Sequence, residues 1–252
     1  MNRYFIYLAY NGTRYCGWQI QPNGLSLQQC IEDKLSILLR SPISIVGAGR
    51  TDAGVHARQM VAHFDVENPI DDLRLLTDKL NNLLPYDIAI ERIVRVHEEA
   101  HARFNALSRT YRYYISDRKD PFCDEWVCRM SLKGIDFERM NDACKVLYEY
   151  SDFTSFSKLH TDVKTHICRI AYAQWKQEDG RWFFSIQADR FLRNMVRAIV
   201  GTLFEVGRGK CSLSEFREVI EAKNRCRAGT SVPAKGLSLV EIAYPAELFC
   251  VI

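Results

Sequence analysis

The stretch from Gly47 to Ala57 holds the densest set of chemically capable side chains in the sequence, reading GAGRTDAGVHA. Its glycines let the backbone take tight or left-handed turns, and between them stand Arg50 and Asp52. A loop of this composition presents a carboxylate in a fixed position beside a cation. We therefore predict a site for carboxylate chemistry at Asp52. The alternative is a structural turn in which Arg50 and Asp52 form a solvated pair.

Glycines before a polar run also suggest a phosphate-binding loop, but two familiar loops of that kind do not fit. A dinucleotide fingerprint needs glycine where Asp52 stands, and a carboxylate would spoil an anion-binding turn. The Walker pattern needs Lys and then Ser or Thr where Val55 and His56 stand. The sequence thus argues against a phosphate-binding hydrolase.

The elements around this loop are predicted from hydrophobic periodicity. An apolar run ending at Val46 and an alternating run from Met60 to Phe64 predict two strands that carry the loop. Helical spacing follows a capping box at Ser26 and returns after Asp72. With strands at 4–10 and 88–96, the first half reads strand, helix, strand, loop, strand, helix, strand. This order favours helices on one face of a sheet over a doubly wound parallel fold.

The polar loop between Gly12 and Gly24 carries Tyr15 and Trp18 and ends in a predicted turn at Pro22-Asn23-Gly24. Exposed aromatic rings there could stack on nucleic-acid bases. The alternative, with equal support, is that Tyr15 and Trp18 cover the edge of the sheet.

In the second half, arginine and tyrosine interleave on a predicted strand from Ser108 to Ile115. Alternation places Arg109, Tyr111 and Tyr113 on one side of it. Such a face suits an RNA loop, because rings and guanidinium planes stack on splayed bases while cations meet phosphates. An ordinary half-exposed strand is the alternative, since tyrosine is a common strand former.

A helix is predicted from Arg190 to Gly201, with Arg193 and Arg197 one turn apart on the side away from its buried stripe. The two arginines could point toward a cleft or be solvated. A further helix from Ile135 to Tyr150, a hairpin at 178–181 and a basic run from Lys223 to Arg227 complete the pattern.

Composition bounds the class of protein. The chain has 252 residues, 47% apolar content and a net charge of +3, which is compatible with basic surface gathered on one face. Its nine cysteines form no C-x-x-C pair and are predicted to be reduced thiols in a cytoplasmic protein, and the scattered histidines argue against zinc. No apolar run approaches the roughly 20 residues of a membrane span.

The loop sequence GRTDAGVHA resembles the signature of the TruA-type tRNA pseudouridine synthases. The resemblance extends over nearly the whole chain, through SRTYRYYI at 108–115, RNMVR at 193–197 and PAKGL at 233–237. It implies that Asp52 is the catalytic nucleophile and that Tyr111 contacts the target base. The active-site residues implied in this way are Arg50, Asp52, Tyr111 and Arg197. Tyr111, Arg109, Arg193 and Leu237 are expected to bind the substrate, Leu237 in the uridine pocket.

The resemblance also implies an α+β fold of two similar domains, residues 1–105 and 106–252. Their mixed, mainly antiparallel sheets would be joined, with helices on one face and a cleft between the domains that holds Asp52. The implied substrate is uridine at nucleotides 38 to 40 of the tRNA anticodon stem-loop, and the implied assembly is a homodimer. A short insertion is expected after Lys158.

Converting uridine to pseudouridine moves the base from N1 to C5, which needs no redox agent, metal or energy source, so no cofactor is expected. Asp52 could attack C1′, add to C6 or act through a glycal, and the sequence leaves all three open. It also leaves open whether Tyr111 relays a proton or only stacks. The rival function is a non-catalytic tRNA-binding or chaperone protein with the same fold.

Overall fold

The computed structural model describes residues 1–22, 24–158 and 164–250. These residues form nine strands and five α-helices, an α+β fold with mixed, mainly antiparallel sheets, as predicted. They group into two compact units, Met1–Leu107 with Ser238–Ile252, and Ser108–Leu237. The division into domains 1–105 and 106–252 stays a prediction. Asn23 of the predicted turn and the expected insertion after Lys158 lie outside the described residues.

The sheet of the first unit is built around β1 (Asn2–Tyr10). Its neighbours β3 (His56–Val66) and β4 (Ile88–Val96) both run antiparallel to it. A two-residue strand, β2 (Val46–Gly47), pairs antiparallel with β3. The last strand, β9 (Leu237–Ala243), pairs in parallel with the start of β3, where His56 lies opposite Ser238. The loop that carries Asp52 is therefore held between β2 and β3.

Two helices complete the first unit, and both begin at side-chain caps that the sequence indicates. The hydroxyl of Ser26 accepts a hydrogen bond at 3.2 Å from the Gln29 N–H at the start of α1 (Leu27–Leu39). Asp72 caps α2 (Leu73–Leu83) in the same way. Helix α2 packs on β4, where the Asn81 amide bonds to both the N–H and the C=O of Ile90. This pairing satisfies the outer edge of the sheet.

The sheet of the second unit has three long antiparallel strands in the order β5 (Ser108–Ser116), β8 (Arg181–Ala188), β7 (Ile170–Glu178). A two-residue strand, β6 (Cys128–Arg129), pairs in parallel with the end of β5. The predicted hairpin joins β7 to β8 through Asp179 and Gly180, which have φ of 51° and 72°. Helix α3 (Phe137–Val146) lies on β7, and its Asn141 bonds to both backbone groups of Trp175. In each unit, one residue of an outer strand is thus bonded to an asparagine on a neighbouring helix.

Helix α4 (Met195–Gly207) begins five residues later than the start predicted at Arg190. Asn194 has a left-handed φ of 66°, and its amide donates to the Ser231 hydroxyl at 2.6 Å. This long-range bond fixes a backbone conformation that a helix cannot continue through. The predicted buried stripe of the helix is confirmed, and α5 (Leu213–Glu221) follows with a capping box between Ser212 and Glu215.

The structure decides between the two interpretations of the aromatic residues in the first loop. Tyr15 is 5% exposed and Trp18 is 3% exposed, so both rings belong to the core and neither is available to stack on a base. The Tyr15 hydroxyl donates to the Asp87 carboxylate at 2.8 Å. None of the helices in the described ranges is both long enough and apolar enough to cross a membrane.

Candidate active site

Asp52 begins a tight turn that follows the exposed residue Arg50. The C=O of Asp52 accepts a hydrogen bond at 3.1 Å from the Val55 N–H, and Gly54 within the turn has a φ of 75°. Val55 is buried, which anchors the far end of the turn in the core. The Asp52 side chain itself is half-buried. The backbone that carries the carboxylate is therefore fixed on a core residue.

The residue before Asp52 is held from two sides. The Thr51 side chain is buried, and its hydroxyl lies 2.9 Å from the hydroxyl of Tyr10 at the end of β1. The Thr51 C=O accepts a hydrogen bond at 3.1 Å from the Trp18 N–H. Earlier in the loop, the Ala48 N–H donates to the Val61 C=O at 2.8 Å. These bonds tie the loop to both β1 and β3.

Two glycines outside the motif form the surface on which this loop rests. A Cβ on Gly17 would lie 2.6 Å from the Thr51 carbonyl oxygen, and Gly17 has a φ of 107°. A Cβ on Gly12 would lie 2.0 Å from the Val55 carbonyl oxygen. Sequence reasoning missed both as site residues, although Gly12 precedes Tyr15 and Gly17 precedes Trp18 in the first loop. The signal in the sequence was the presence of these two glycines in a loop to which no role had been assigned.

The three glycines of the motif do not share one role. Gly54 alone has the left-handed backbone expected of them, and Gly47 is needed because a Cβ would lie 2.6 Å from the Trp18 indole. Gly49 has open space around it, with no atom within 4 Å of a Cβ built there. The predicted freedom of the backbone is thus used only at the turn after Asp52.

On β5, Arg109 and Tyr111 lie on the side that faces the segment after β8. The Arg109 guanidinium donates to the Asp189 C=O at 2.7 Å. The Tyr111 ring meets the Phe191 ring edge to face, with centroids 5.2 Å apart. Tyr113, on the same side, is fully buried, so the predicted tyrosine and arginine face is limited to the first half of the strand.

Arg197 lies on α4 and is bonded to the segment that precedes β9. Its Nε donates to the Val232 C=O at 2.7 Å, and its own C=O accepts from the Val232 N–H at 3.2 Å. The Tyr113 hydroxyl donates to the next carbonyl, that of Pro233, at 3.0 Å. Burial raises the pKa of Tyr113, which keeps this phenol neutral and a donor. The start of the PAKGL segment is thereby fixed at Pro233 and at the residue before it, Val232.

Leu237 and Arg193 lie at the two ends of this region. Leu237 is 6% exposed and follows Gly236, where a Cβ would lie 2.7 Å from the Tyr113 ring. Arg193 is exposed and precedes α4, so it does not share a helix face with Arg197 as the sequence suggested. Its C=O accepts a hydrogen bond at 3.0 Å from the Lys158 N–H.

The predicted site residues thus divide between the two units. Arg50 and Asp52 belong to the first unit, and the others belong to the second. Within the second unit, Arg197 and Tyr113 hold the same closing segment, while Arg109 and Tyr111 contact residues 189–191. What the first unit can supply chemically is a positioned carboxylate. The second can supply a half-buried guanidinium, a phenol and an apolar wall.

Comparison with known proteins identifies what the chain is related to. The sequence model of a family described as tRNA pseudouridine synthase matches residues 6–105 and 143–245, which include Asp52 and Arg197 but not Tyr111. A protein of Parabacteroides distasonis named tRNA pseudouridine synthase A is 64% identical over 99% of this chain and 98% of its own length. Proteins of the same name are 58% identical in Bacteroides fragilis, over 99% of both chains, and 38% identical in Geobacter sp. strain M21, over 95% of this chain and 98% of that one. The chain belongs to the tRNA pseudouridine synthase family, whose members are isomerases.

Proposed function

We propose that this pseudouridine synthase acts on uridine at nucleotides 38 to 40 of the tRNA anticodon stem-loop, with Asp52 as its nucleophile. The observation that supports Asp52 is the turn at 52–55. The residue before the turn is held by the hydrogen bond from the Trp18 N–H to the Thr51 C=O. The turn itself is closed by the hydrogen bond from the Val55 N–H to the Asp52 C=O. The carboxylate is thereby presented from a rigid base, as covalent catalysis requires. We further propose that the protein works as a homodimer in the cytoplasm.

The reaction is an isomerisation in which atoms balance without a second reactant. The bond from C1′ to N1 breaks, the detached uracil turns, a bond from C1′ to C5 forms, a base removes the proton at C5, and N1 gains one proton in exchange. In the three routes left open, the carboxylate of Asp52 either forms a bond to the substrate, at C1′ or C6, or stabilises a glycal and the positive charge that develops at C1′. A neutral amide at the same place can do neither.

The other predicted site residues receive roles that their chemistry suits. Arg197 would supply positive charge that orients the Asp52 carboxylate. Arg50 would do the same from the loop itself. Tyr111 would hold the target base, with its ring supported by Phe191. The base must leave its stack to reach these groups, at a cost of about a few kcal/mol that is smallest in a loop or at a weak stem end.

The test replaces Asp52 with asparagine, which keeps the shape and removes the charge. We expect Asp52→Asn to fold and to bind tRNA nearly as well as the wild type, because phosphate contacts lie elsewhere. Pseudouridine formation on unmodified tRNA should vanish in single-turnover assays, with any product mapped by mass spectrometry. Asp78→Asn, a change at an exposed position of α2, is the matched control and should leave the rate unchanged.

The competing interpretation makes Arg50 and Asp52 a structural pair. It predicts a small loss of stability in Asp52→Asn, about 0 to 1 kcal/mol for an exposed pair, with activity largely intact. Melting curves and turnover measured on one preparation separate the two. A folded Asp52→Asn protein that still makes pseudouridine would falsify the proposed mechanism. A wild-type protein that binds tRNA without modifying it would instead support the non-catalytic alternative.

A further inference from the structure

Phe104 is a large apolar side chain that the fold holds at the surface. It lies in the connection between β4 and β5 and is 75% exposed. Four hydrogen bonds fix the turn around it. His101 Nδ1 accepts from the N–H groups of Arg103 and Phe104 at 3.1 and 3.3 Å. The His101 N–H donates to Asn105 Oδ1 at 2.6 Å, and the Asn105 N–H donates to the His101 C=O at 3.0 Å.

The Phe104 ring is supported from below by two histidines. Its centroid lies 4.2 Å from that of His101, with the ring planes at 34°. His101 in turn meets the edge of His63 at 4.6 Å. His63 is buried on β3, opposite Phe5, and its Nδ1 accepts from the Ala102 N–H at 3.2 Å. The exposed ring is therefore the top of a column of three rings that begins inside the sheet.

The turn is also tied to the sheet by its flanking residues. The Arg3 guanidinium donates to the Ala100 C=O at 3.0 Å while it pairs with the Asp65 carboxylate. The Tyr244 hydroxyl donates to the Ala102 C=O at 2.5 Å. A turn fixed at this many points loses little conformational entropy when a ligand contacts it. Its exposed ring has no part in the core, so the packing of the protein does not explain it.

A cation accompanies the exposed ring. The Arg103 guanidinium lies over the Phe104 ring, 5.7 Å from its centroid. A guanidinium over an aromatic ring suits single-stranded RNA, because a base can stack on a ring or on a guanidinium plane while the cation meets the backbone. A pocket for a protein side chain would be concave and apolar, whereas this feature projects and carries charge.

The position of the column separates it from the reacting base. His63 lies seven residues along β3 from His56, and β3 begins just after the Asp52 turn. At about 3.3 Å per residue, the base of the column is roughly 23 Å from the start of the strand. This separation along the strand favours a nucleotide on Phe104 that is not the one that reacts.

We propose that Phe104 and Arg103 form a stacking site for an unpaired nucleotide of the tRNA outside its target uridine. The proposal rests on the proposed function, since it takes tRNA as the ligand. The site adds affinity and fixes the orientation of the RNA, and it takes no part in the chemical step.

Phe104→Ala tests the stacking. Removing a stacked ring typically weakens single-strand binding by about 5- to 150-fold, so we expect a loss of at least 5-fold in the affinity for unmodified tRNA. The single-turnover rate at saturating enzyme should stay within about 2-fold of the wild type, because the target site is untouched. Phe104→Trp should restore the affinity. Phe122→Ala, at another exposed phenylalanine that is 91% exposed, is the matched control and should change neither quantity.

Photocrosslinking identifies the occupant. A benzoylphenylalanine at position 104 should crosslink to tRNA at a nucleotide other than 38 to 40. A crosslink to a second copy of the chain, or an affinity unchanged in Phe104→Ala, would overturn the proposal. Its failure is distinguishable from that of the proposed function, because the wild type would still form pseudouridine and Asp52→Asn would not.

Discussion

At the scale of single residues, the neighbours of the charged groups matter as much as the charges. Thr51 is held by Tyr10 and Trp18, and Arg197 is held by the Val232 carbonyl. A guanidinium bonded to a carbonyl keeps its full charge while it loses rotational freedom. Such a group suits catalysis, because a preorganised charge needs no reorganisation when the reaction occurs. Tyr113, in the SRTYRYYI segment, is instead buried and bonded to the Pro233 carbonyl, so it serves the structure.

His63 provides a residue-scale prediction about pH. Burial, with contributions from Arg3 and His101, lowers the pKa of His63 to about 4. In the unfolded chain its pKa is about 6.5, so between these values the unfolded state binds a proton that the folded state does not. Stability should therefore fall by about 3 kcal/mol as the pH decreases from 6.5 to 4.

Urea unfolding between pH 7.5 and 4 measures this loss. The Asp65 carboxylate, whose pKa is lowered from 3.8 by its hydrogen bonds to Arg3, loses its own stabilisation only below this range. His63→Gln should flatten the slope between pH 6.5 and 4, whereas His97→Gln, at an exposed histidine, should not. Equal slopes in the wild type and His63→Gln would show that another group is responsible.

At the scale of elements, the loop that carries Asp52 depends on close backbone approaches. In the first loop, Gly12 lies against the backbone of Val55 and Gly17 against that of Thr51, while Trp18 packs against Gly47. The two sheets show a second regularity, since Asn81 and Asn141 each pair with the backbone of an edge strand. The glycine contacts join the first loop to the loop that carries Asp52, and each asparagine joins a helix to an edge strand.

Two glycine substitutions test this account of the loop. In Gly17→Ala the new Cβ meets the Thr51 carbonyl oxygen and the backbone has a φ of 107°. We expect a loss of about 1 to 3 kcal/mol, which lowers Tm by roughly 2 to 4 °C per kcal/mol. Gly49→Ala meets no atom within 4 Å and should stay within about 0.5 kcal/mol of the wild type. If calorimetry shows equal Tm values for the two variants, the loop does not rest on Gly17.

At the scale of the whole molecule, charge distribution decides how tRNA is bound. The net charge is only +3, so affinity must come from local groups of cations. Two residues of the basic run from Lys223 to Arg227 make internal contacts: Lys223 pairs with Asp152, and Arg225 donates to the Ser231 hydroxyl. Arg193 and Arg227 are exposed. Their exposure makes these two candidates for phosphate contacts in the second unit.

We predict that tRNA affinity falls steeply with salt, by about 0.7 to 0.9 in the slope of log affinity against log salt for each phosphate contact. Arg193→Gln and Arg227→Gln should each weaken binding and reduce the slope by about one contact. Arg74→Gln, at an exposed position of α2, is the control and should leave the slope unchanged. A wild-type slope near zero in filter-binding titrations would contradict electrostatic binding of RNA.

The sequence by itself determined the features that depend on local chemistry. Side-chain caps, turn residues and hydrophobic periodicity predicted β4, the start of α2 and the hairpin at 178–181, because each is decided within a few neighbouring residues. The loop motif at Asp52 was sufficient to indicate the family, which the comparisons confirm. The roles of the individual site residues stay predictions.

Only the tertiary structure decided which side chains are buried and where chain segments meet. Tyr15, Trp18 and Tyr113 could equally have been exposed by their local pattern, and contacts from distant segments bury them. The start of α4 depends on the bond from Asn194 to Ser231, and β9 pairs with a strand from the other end of the chain. Residue spacing contains no information about such contacts, because their free energy arises between segments that are separated by many residues in sequence.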